Sequence, residues 1–400
     1  MRPVDGARRR EWIAGTFLLV LTLINVATTY QLLPLLRKGY QDFTAFYTAG
    51  MMIRTGQAAR LYDLHEQTRL QQQFAPNVAI RQGALPYNHP PFEALLFVPL
   101  AYLSYGSAYL LWTLLNGGML LSSLRMLRRA FSDVGALHPV FIALFATAFI
   151  PVVNGFVQGT DSLLMLLVVT SSLTLLMENR DVAAGAVLAT GLVKFHFALP
   201  LAVLLAVRRP KLLLGFAPVA AGLVAVSARI VGWSGMAEYV RLVFRLEKSG
   251  AGGAIIAAGM PNLRGLIGAL TGLNEMGRPA FLLTIGCSLI SIGAAAWQIR
   301  RPEASIRFWF ALGAITTIMV SFHTLTYDLT VLLLVVLLLV SMPERTAHGK
   351  PSADLIFLVT VYSLLLASSV WPWLGPFWVI PVLPWIFWKC GPAVAQESLA

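Results

Sequence analysis

Residues 12–36 read WIAGTFLLVLTLINVATTYQLLPLL, and residues 37–50 read RKGYQDFTAFYTAG. The first stretch is apolar over the length of a bilayer-spanning helix, about 20 residues. It is too long for the core of a secretory leader and lacks a small-x-small cleavage pattern, so it reads as an uncleaved first span. Arg8, Arg9 and Arg10 precede it, and the positive-inside bias puts them in the cytoplasm. Composition extends this reading to the whole chain. Of 400 residues, 57% are hydrophobic and 12% charged, with a mean hydropathy of +0.72. A soluble protein carries roughly a quarter charged residues, so this chain cannot clothe a surface that faces water. The net charge of +12 suits Lys- and Arg-rich cytoplasmic loops rather than nucleic-acid binding. Cys287 and Cys390 lie far apart in or beside apolar segments, with neither a disulfide framework nor a zinc spacing.

Outward from the first span, further apolar runs occupy 105–124, 139–154, 160–177, 212–232, 279–299, 304–321, 327–342 and 353–372. Three pieces are shorter or broken. Residues 92–103 read as a half-span joined to the next helix, 182–207 are interrupted by Lys194-Phe195-His196, and 377–388 are broken by prolines. The expectation is an all-α, polytopic membrane protein of about 10–12 transmembrane helices. Its single domain divides into a first span (12–36), a large outer loop (37–90), a bundle (91–232), a second outer loop (233–278), a second bundle (279–390) and a tail (391–400). Basic clusters at Arg125, Arg128 and Arg129, at Arg208, Arg209 and Lys211, at Arg300 and Arg301, and at Arg345 with Lys350 fall in short connections that belong inside. The long loops and the turns at 154–160, 322–328 and 373–376 then share the outer side. The chain is placed in the plasma or inner membrane, with its N-terminus cytoplasmic.

The outer loops carry interfacial helices in this reading. Residues 43–55 and 66–74 have helical composition, Asp42 suits the N-cap of the first, and Gly56 suits its C-terminal stop. Asp63 and Asp161 are placed to cap the helices that follow them. Met236–Glu247 sets Tyr239, Val240, Val243, Phe244 and Leu246 against Arg241, Arg245 and Glu247, an amphipathic pattern that lies along an interface. The Trp-rich stretch 371–388 reads as an aromatic belt.

Polar residues gather on the outer side: Asp42; YNHPPFE (87–93) with His89; NGFVQGTDSLL (154–164) with Gln158; KFH (194–196); PNLRGL (261–266) with Arg264; and SFHTLTYDLTVLL (321–333) with His323, Tyr327 and Asp328. Ionisable groups against a membrane are costly and ordinarily have a partner or a function. In order along the chain, these pieces resemble the polyprenyl-phosphate-dependent glycosyltransferases of family 87, of the GT-C class. The matching features are DFTAFYTAG after the first span, LYD (61–63), YNHPPFEALLFVPLAYL, NGFVQGTDSLL against a Gly-Gln-Asn-x-Leu-Leu turn, AAGAVLATGLVKFHFALPLAVLL against an AGx-lx-Lys-Pro segment, MPNLRGL, and HTLTYDLTVLL, over roughly 12–340. Phe195 stands where that pattern has proline, and Leu263 and Arg264 depart from its Gln-Ser pair.

The resemblance implies a GT-C-like fold and transfer of a hexose, mannose by default, from a polyprenyl-phosphate donor to a hydroxyl of a glycolipid or polysaccharide on the outer face. An acceptor hydroxyl needs a general base, and Asp42 is the candidate. The phosphate leaving group is already ionised and needs cationic or donor groups rather than an acid. Lys194 and Arg264 are candidates for that role, His89, His196 and His323 for binding phosphate or acceptor, and Gln158 and Tyr327 for supporting contacts. Tyr327 and Asp328 are expected to hold His323. Besides donor, acceptor and membrane lipid, no nucleic acid, cofactor or nucleotide-binding loop is implied. Six scattered histidines give no expectation of a metal cluster. Broken helices and intramembrane charge also suit a secondary transporter or a lipid-linked sugar flippase, though one unmatched large outer loop argues against two related halves.

Overall fold

The computed structural model describes residues 3–36, 38–39, 41–75, 85–249, 257–271, 278–342 and 353–390. Arg345, Lys350 and the tail 391–400 lie outside the described residues, as do parts of both long loops. The described chain is all-helical, with no strand among the described residues. Among the described residues, five helices have the length and apolarity to cross a membrane: Glu11–Leu36, Tyr105–Ala130, Asp181–Ala206, Leu212–Leu246 and Pro279–Ile299. On the first, Trp12, Leu23, Val26 and Tyr30 are exposed, an apolar surface suited to lipid.

Other apolar helices are shorter than a span, among them Ser162–Met177, Ile306–Val320, Thr326–Val340 and Asp354–Val370. Two of these are apolar on every side and buried along nearly their whole length, from Phe308 to Met319 and from Leu329 to Leu339. A helix hydrophobic all round sits in the interior of a bundle. Protein rather than lipid surrounds these two, so lipid thickness does not set their length.

The expected span 139–154 divides in two. Pro139–Ala148 and Ile150–Gln158 meet at 66°. Pro151 sits in the first turn of the second piece, where its missing N–H is no loss, but the break frees carbonyls at the end of the first. Asn25 of the first span satisfies them. Its Nδ2 donates to the Thr147 and Ala148 carbonyls at 2.9 and 3.2 Å. A polar residue in an otherwise greasy helix is thereby explained by backbone exposed elsewhere.

Of three other expectations, one changes. Residues 92–103 form no half-span. They fold as 3-10 turns, Pro91–Phe97 and Leu100–Tyr102, ahead of the Tyr105 helix. The interruption at Lys194 is a 3-10 turn, Gly191–Lys194, between the helices Asp181–Thr190 and Phe195–Ala206. The amphipathic segment after 232 is a helix of its own, as expected: the Leu212–Ser249 run breaks at Gly232, whose backbone is non-helical with φ 71°.

Two close approaches fix the frame. An atom added at Gly185 Cβ meets the Leu212 carbonyl oxygen at 1.8 Å, and one at Gly215 meets that of Val182 at 1.8 Å. The helices beginning at Asp181 and Leu212 therefore cross backbone to backbone, the small-residue contact typical of membrane helices. The connections rich in basic residues pair with one another: Arg208 bonds the Ile299 and Arg301 carbonyls, and Arg307 pairs with Asp133.

Candidate active site

The motif turns converge on one cavity of about 520 Å³, within the range of small-molecule sites. Asp42, His89, Asp161, Lys194, His196, His323, Tyr327 and Asp328 line it, with Tyr239, Val240, Val243 and Phe244 from the segment after the Gly232 kink forming an apolar wall. Two of the expected residues lie behind this lining. Gln158 accepts the Asp42 backbone N–H at 3.1 Å. Arg264 is buried in the helix Leu263–Thr271, 4.3 Å from the Phe322 ring, and donates to the Phe322 carbonyl. It supports the 321–323 turn.

Asp42 departs from the expected N-cap role. It precedes the helix Phe43–Arg54, yet its backbone is already helical (φ −60°, ψ −24°) and its side chain makes no capping bond. Its carboxylate turns to the cavity and receives the Tyr327 hydroxyl. Burial raises its pKa above the ordinary aspartate value, and the Tyr327 bond works the other way. Asp63, by contrast, is the expected cap, accepting from the His65 and Glu66 N–H groups. Gly56, at φ +75°, is the expected stop.

Behind Asp42, Phe43, Phe46 and Tyr47 are buried in an aromatic core rather than facing lipid. Phe46 stacks on Phe97 and meets the His89 ring edge-on, each at 4.7 Å between ring centroids. The turn that carries Gln158 approaches this core closely. Gly159 is left-handed (φ +61°), and a Cβ there would stand 2.8 Å from Phe43 Cβ. Glycine is thus required for both backbone and space. Trp112 Nε1 and the Tyr109 hydroxyl bond the carbonyls around this turn and lock it.

His89 is held from both ends. Its carbonyl accepts from Tyr62, and its Nδ1 lies 2.9 Å from Glu93 Oε2. Burial disfavours the imidazolium, but the Glu93 carboxylate outweighs it and raises the His89 pKa. Gln67 and Gln71, one helical turn apart, carry the extended segment before His89. Gln71 bonds both backbone groups of Leu85, and Gln67 accepts from the Tyr87 N–H. Sequence reasoning missed both glutamines and Glu93. Two buried amides at i and i+4 on a polar helix are a signal only when the extended segment facing them is known.

Lys194 lies deep, 5% exposed, with Nζ 2.8 Å from both Asp161 Oδ1 and Asp328 Oδ1 and 5.4 Å from the Tyr327 ring centroid. Asp161 therefore forms an ion pair and makes no side-chain cap. Asp328 holds Lys194 and the Leu325 N–H, and Tyr327 holds Asp42. The lysine expected to receive a phosphate already faces two carboxylates. His196 and His323 stand with ring centroids 6.5 Å apart, and Ser321 Oγ bonds the His323 carbonyl. Asn262 Nδ2 fixes the same turn through the Ser321 carbonyl at 2.9 Å.

One histidine and two acids come together here: one ligand atom each of His89, Glu93 and Asp161 lies within 4.8 Å of the others.

Comparison with known proteins adds a family. No curated protein and no solved structure matches the chain. The model of glycosyltransferase family 87 matches residues 87–322, more than half of the chain but narrower than the resemblance read from the motifs. The match begins at Tyr87 and takes in the motifs around His89, Gln158, Lys194 and Arg264. Asp42 and the Tyr327-Asp328 pair lie outside it, and the fold brings them to the same cavity. The chain, an all-helical membrane protein, belongs to glycosyltransferase family 87.

Proposed function

We propose that this membrane glycosyltransferase moves a hexose, mannose in the first instance, from a polyprenyl-phosphate carrier to an acceptor hydroxyl at the outer face of the membrane, with inversion and with Asp42 as general base. The observation that carries this reading is the Asp42 carboxylate: free of capping, open to the cavity and bonded by Tyr327. Direct displacement needs one base to take the acceptor proton as the oxygen attacks. A carboxylate of raised pKa takes that proton more readily than an ordinary one. The C–O bond to phosphate breaks on the opposite side, and the departing dianion requires donors. His89, His196 and His323 line the cavity for that purpose, and Lys194 has a third ammonium proton beyond its two carboxylates. The apolar wall of Tyr239, Val240, Val243 and Phe244 suits the first isoprene units of a lipid carrier. Glycolipid or polysaccharide acceptors fit the same site.

The test is a donor panel on protein in lipid nanodiscs, with the product's anomeric configuration read by NMR. The reading expects polyprenyl-phosphate sugars as donors and an anomeric centre inverted relative to the donor. Transfer from nucleotide sugars without lipid, or retention of configuration, refutes it.

A further inference from the structure

The cavity is poor in fixed positive charge. Among the described residues that line it, Lys194 is the sole lysine or arginine, against Asp42, Asp161 and Asp328, with Glu93 directly behind His89. Lys194 is shared by two of these carboxylates. Buried carboxylates are retained as anions only where they are paired or bind a cation. Two of these acids present oxygens with no partner. Glu93 is completely buried; its Oε2 meets His89, but its Oε1 has no hydrogen-bond partner. Asp161 is also completely buried; Lys194 holds its Oδ1, while Oδ2 has none. Both acids belong to the group whose ligand atoms, with a His89 nitrogen, fall within 4.8 Å of one another. The ion pair to Lys194 and the aromatic contact of Phe46 with His89 hold these side chains in place before any ligand arrives.

We propose that His89, Glu93 and Asp161 bind one divalent first-row cation such as Mn2+. One imidazole and two carboxylates form a mixed nitrogen and oxygen set that suits such an ion. Three protein ligands leave coordination positions open toward the cavity. If the transfer reading is right, those positions face the anionic phosphate of the donor and offset the negative charge of the site as the phosphate departs. The two carboxylates of the set bring two negative charges against the ion's two positive ones. Lys194 stays on Asp161 Oδ1, and the cation takes Oδ2.

The experiment is Mn2+ titration of the full chain in nanodiscs of neutral lipid, with no donor present, followed by electron paramagnetic resonance. Because no sugar is transferred in it, a negative result leaves the transfer reading intact, and a failed donor panel leaves the cation site intact. The expected result is one bound Mn2+ per chain, with the nitrogen coupling of a directly ligated imidazole in the spin-echo envelope. Glu93→Gln and Asp161→Asn are expected to weaken binding about tenfold or more, and His89→Asn to remove the nitrogen coupling. Glu178→Gln, an exposed residue at the opposite end of the helix Ser162–Met177 from Asp161, is expected to change nothing. Mn2+ that remains the free aquo ion, or is bound without nitrogen coupling in the wild-type chain, overturns the proposal without any variant. Binding unchanged in both Glu93→Gln and Asp161→Asn overturns it as well.

Discussion

Replacing Lys194 by methionine removes the one lysine or arginine among the described residues that line the cavity. The ammonium stands 2.8 Å from carboxylates on two different segments, Asp161 ahead of the helix Ser162–Met177 and Asp328 in the turn Thr326–Val331. All three side chains are nearly or wholly buried, so water cannot replace the lost partner. Removing one member of a buried ion pair costs about 3–5 kcal/mol, because the other is left uncompensated. Here two carboxylates are orphaned together and face each other across the vacated position, which puts Lys194→Met at the upper end, about 5 kcal/mol. The triple variant Asp161→Asn, Lys194→Met, Asp328→Asn removes the orphaned charges as well and is expected to recover more than half of that loss. Buried ion pairs replaced whole are often close to neutral. Equilibrium unfolding in mixed micelles, followed by tryptophan fluorescence, measures both. The reasoning is refuted if the single variant lies within about 1 kcal/mol of wild type, the range of an exposed pair, or if the triple variant is as damaged as the single.

Further expectations follow from the same geometry. Tyr327→Phe removes the hydroxyl that lowers the Asp42 pKa, so the acid limb of the pH–rate profile moves to higher pH. A limb that stays in place or moves down contradicts the assigned bond. Gly185→Ala places a methyl group against the Leu212 carbonyl and should destabilise the bundle by about 1–3 kcal/mol, seen as a lowered unfolding midpoint. An unchanged midpoint means that the two helices do not cross as closely as described. Asn25→Leu strands the Thr147 and Ala148 carbonyls at the bend and should cost about 1–3 kcal/mol; a neutral outcome removes the role given to Asn25.

Much of the fold was legible because the bilayer imposes a coarse rule on sequence: long apolar runs punctuated by basic turns. The first span, the break at Lys194 and the helices of the first loop all follow from composition and local signals. The interior helices Ile306–Val320 and Leu332–Val340 were located correctly as apolar segments. Their shortness reads as interior packing only once their neighbours are known, since a buried helix and a spanning one share the same residues. The bend at Phe149 was hidden because its compensation comes from Asn25, more than a hundred residues away. The residues of the candidate site were largely chosen by type and position, and most of them line one cavity. Their pairings were not legible. A carboxylate ahead of a helix looks like a cap in sequence, and Asp63 is one. Asp42 and Asp161 are not, because a hydroxyl at 327 and an ammonium at 194 reach them from distant segments. Glu93 was passed over because a lone acid in an apolar turn shows its meaning only beside His89.

The central claim rests on Asp42. Burial raises its folded pKa, so its ionisation opposes folding progressively as pH rises above its unfolded value, about 3.9. An asparagine of the same shape is free of that cost, and Asp42→Asn is expected to be at least as stable as wild type at neutral pH. The most direct measurement is transfer from a polyprenyl-phosphate sugar by Asp42→Asn in nanodiscs, with its unfolding midpoint recorded on the same preparation. The account predicts a folded, stable protein whose transfer falls by about 10²–10⁴, the range of a general base. Transfer at the wild-type rate by that protein contradicts it.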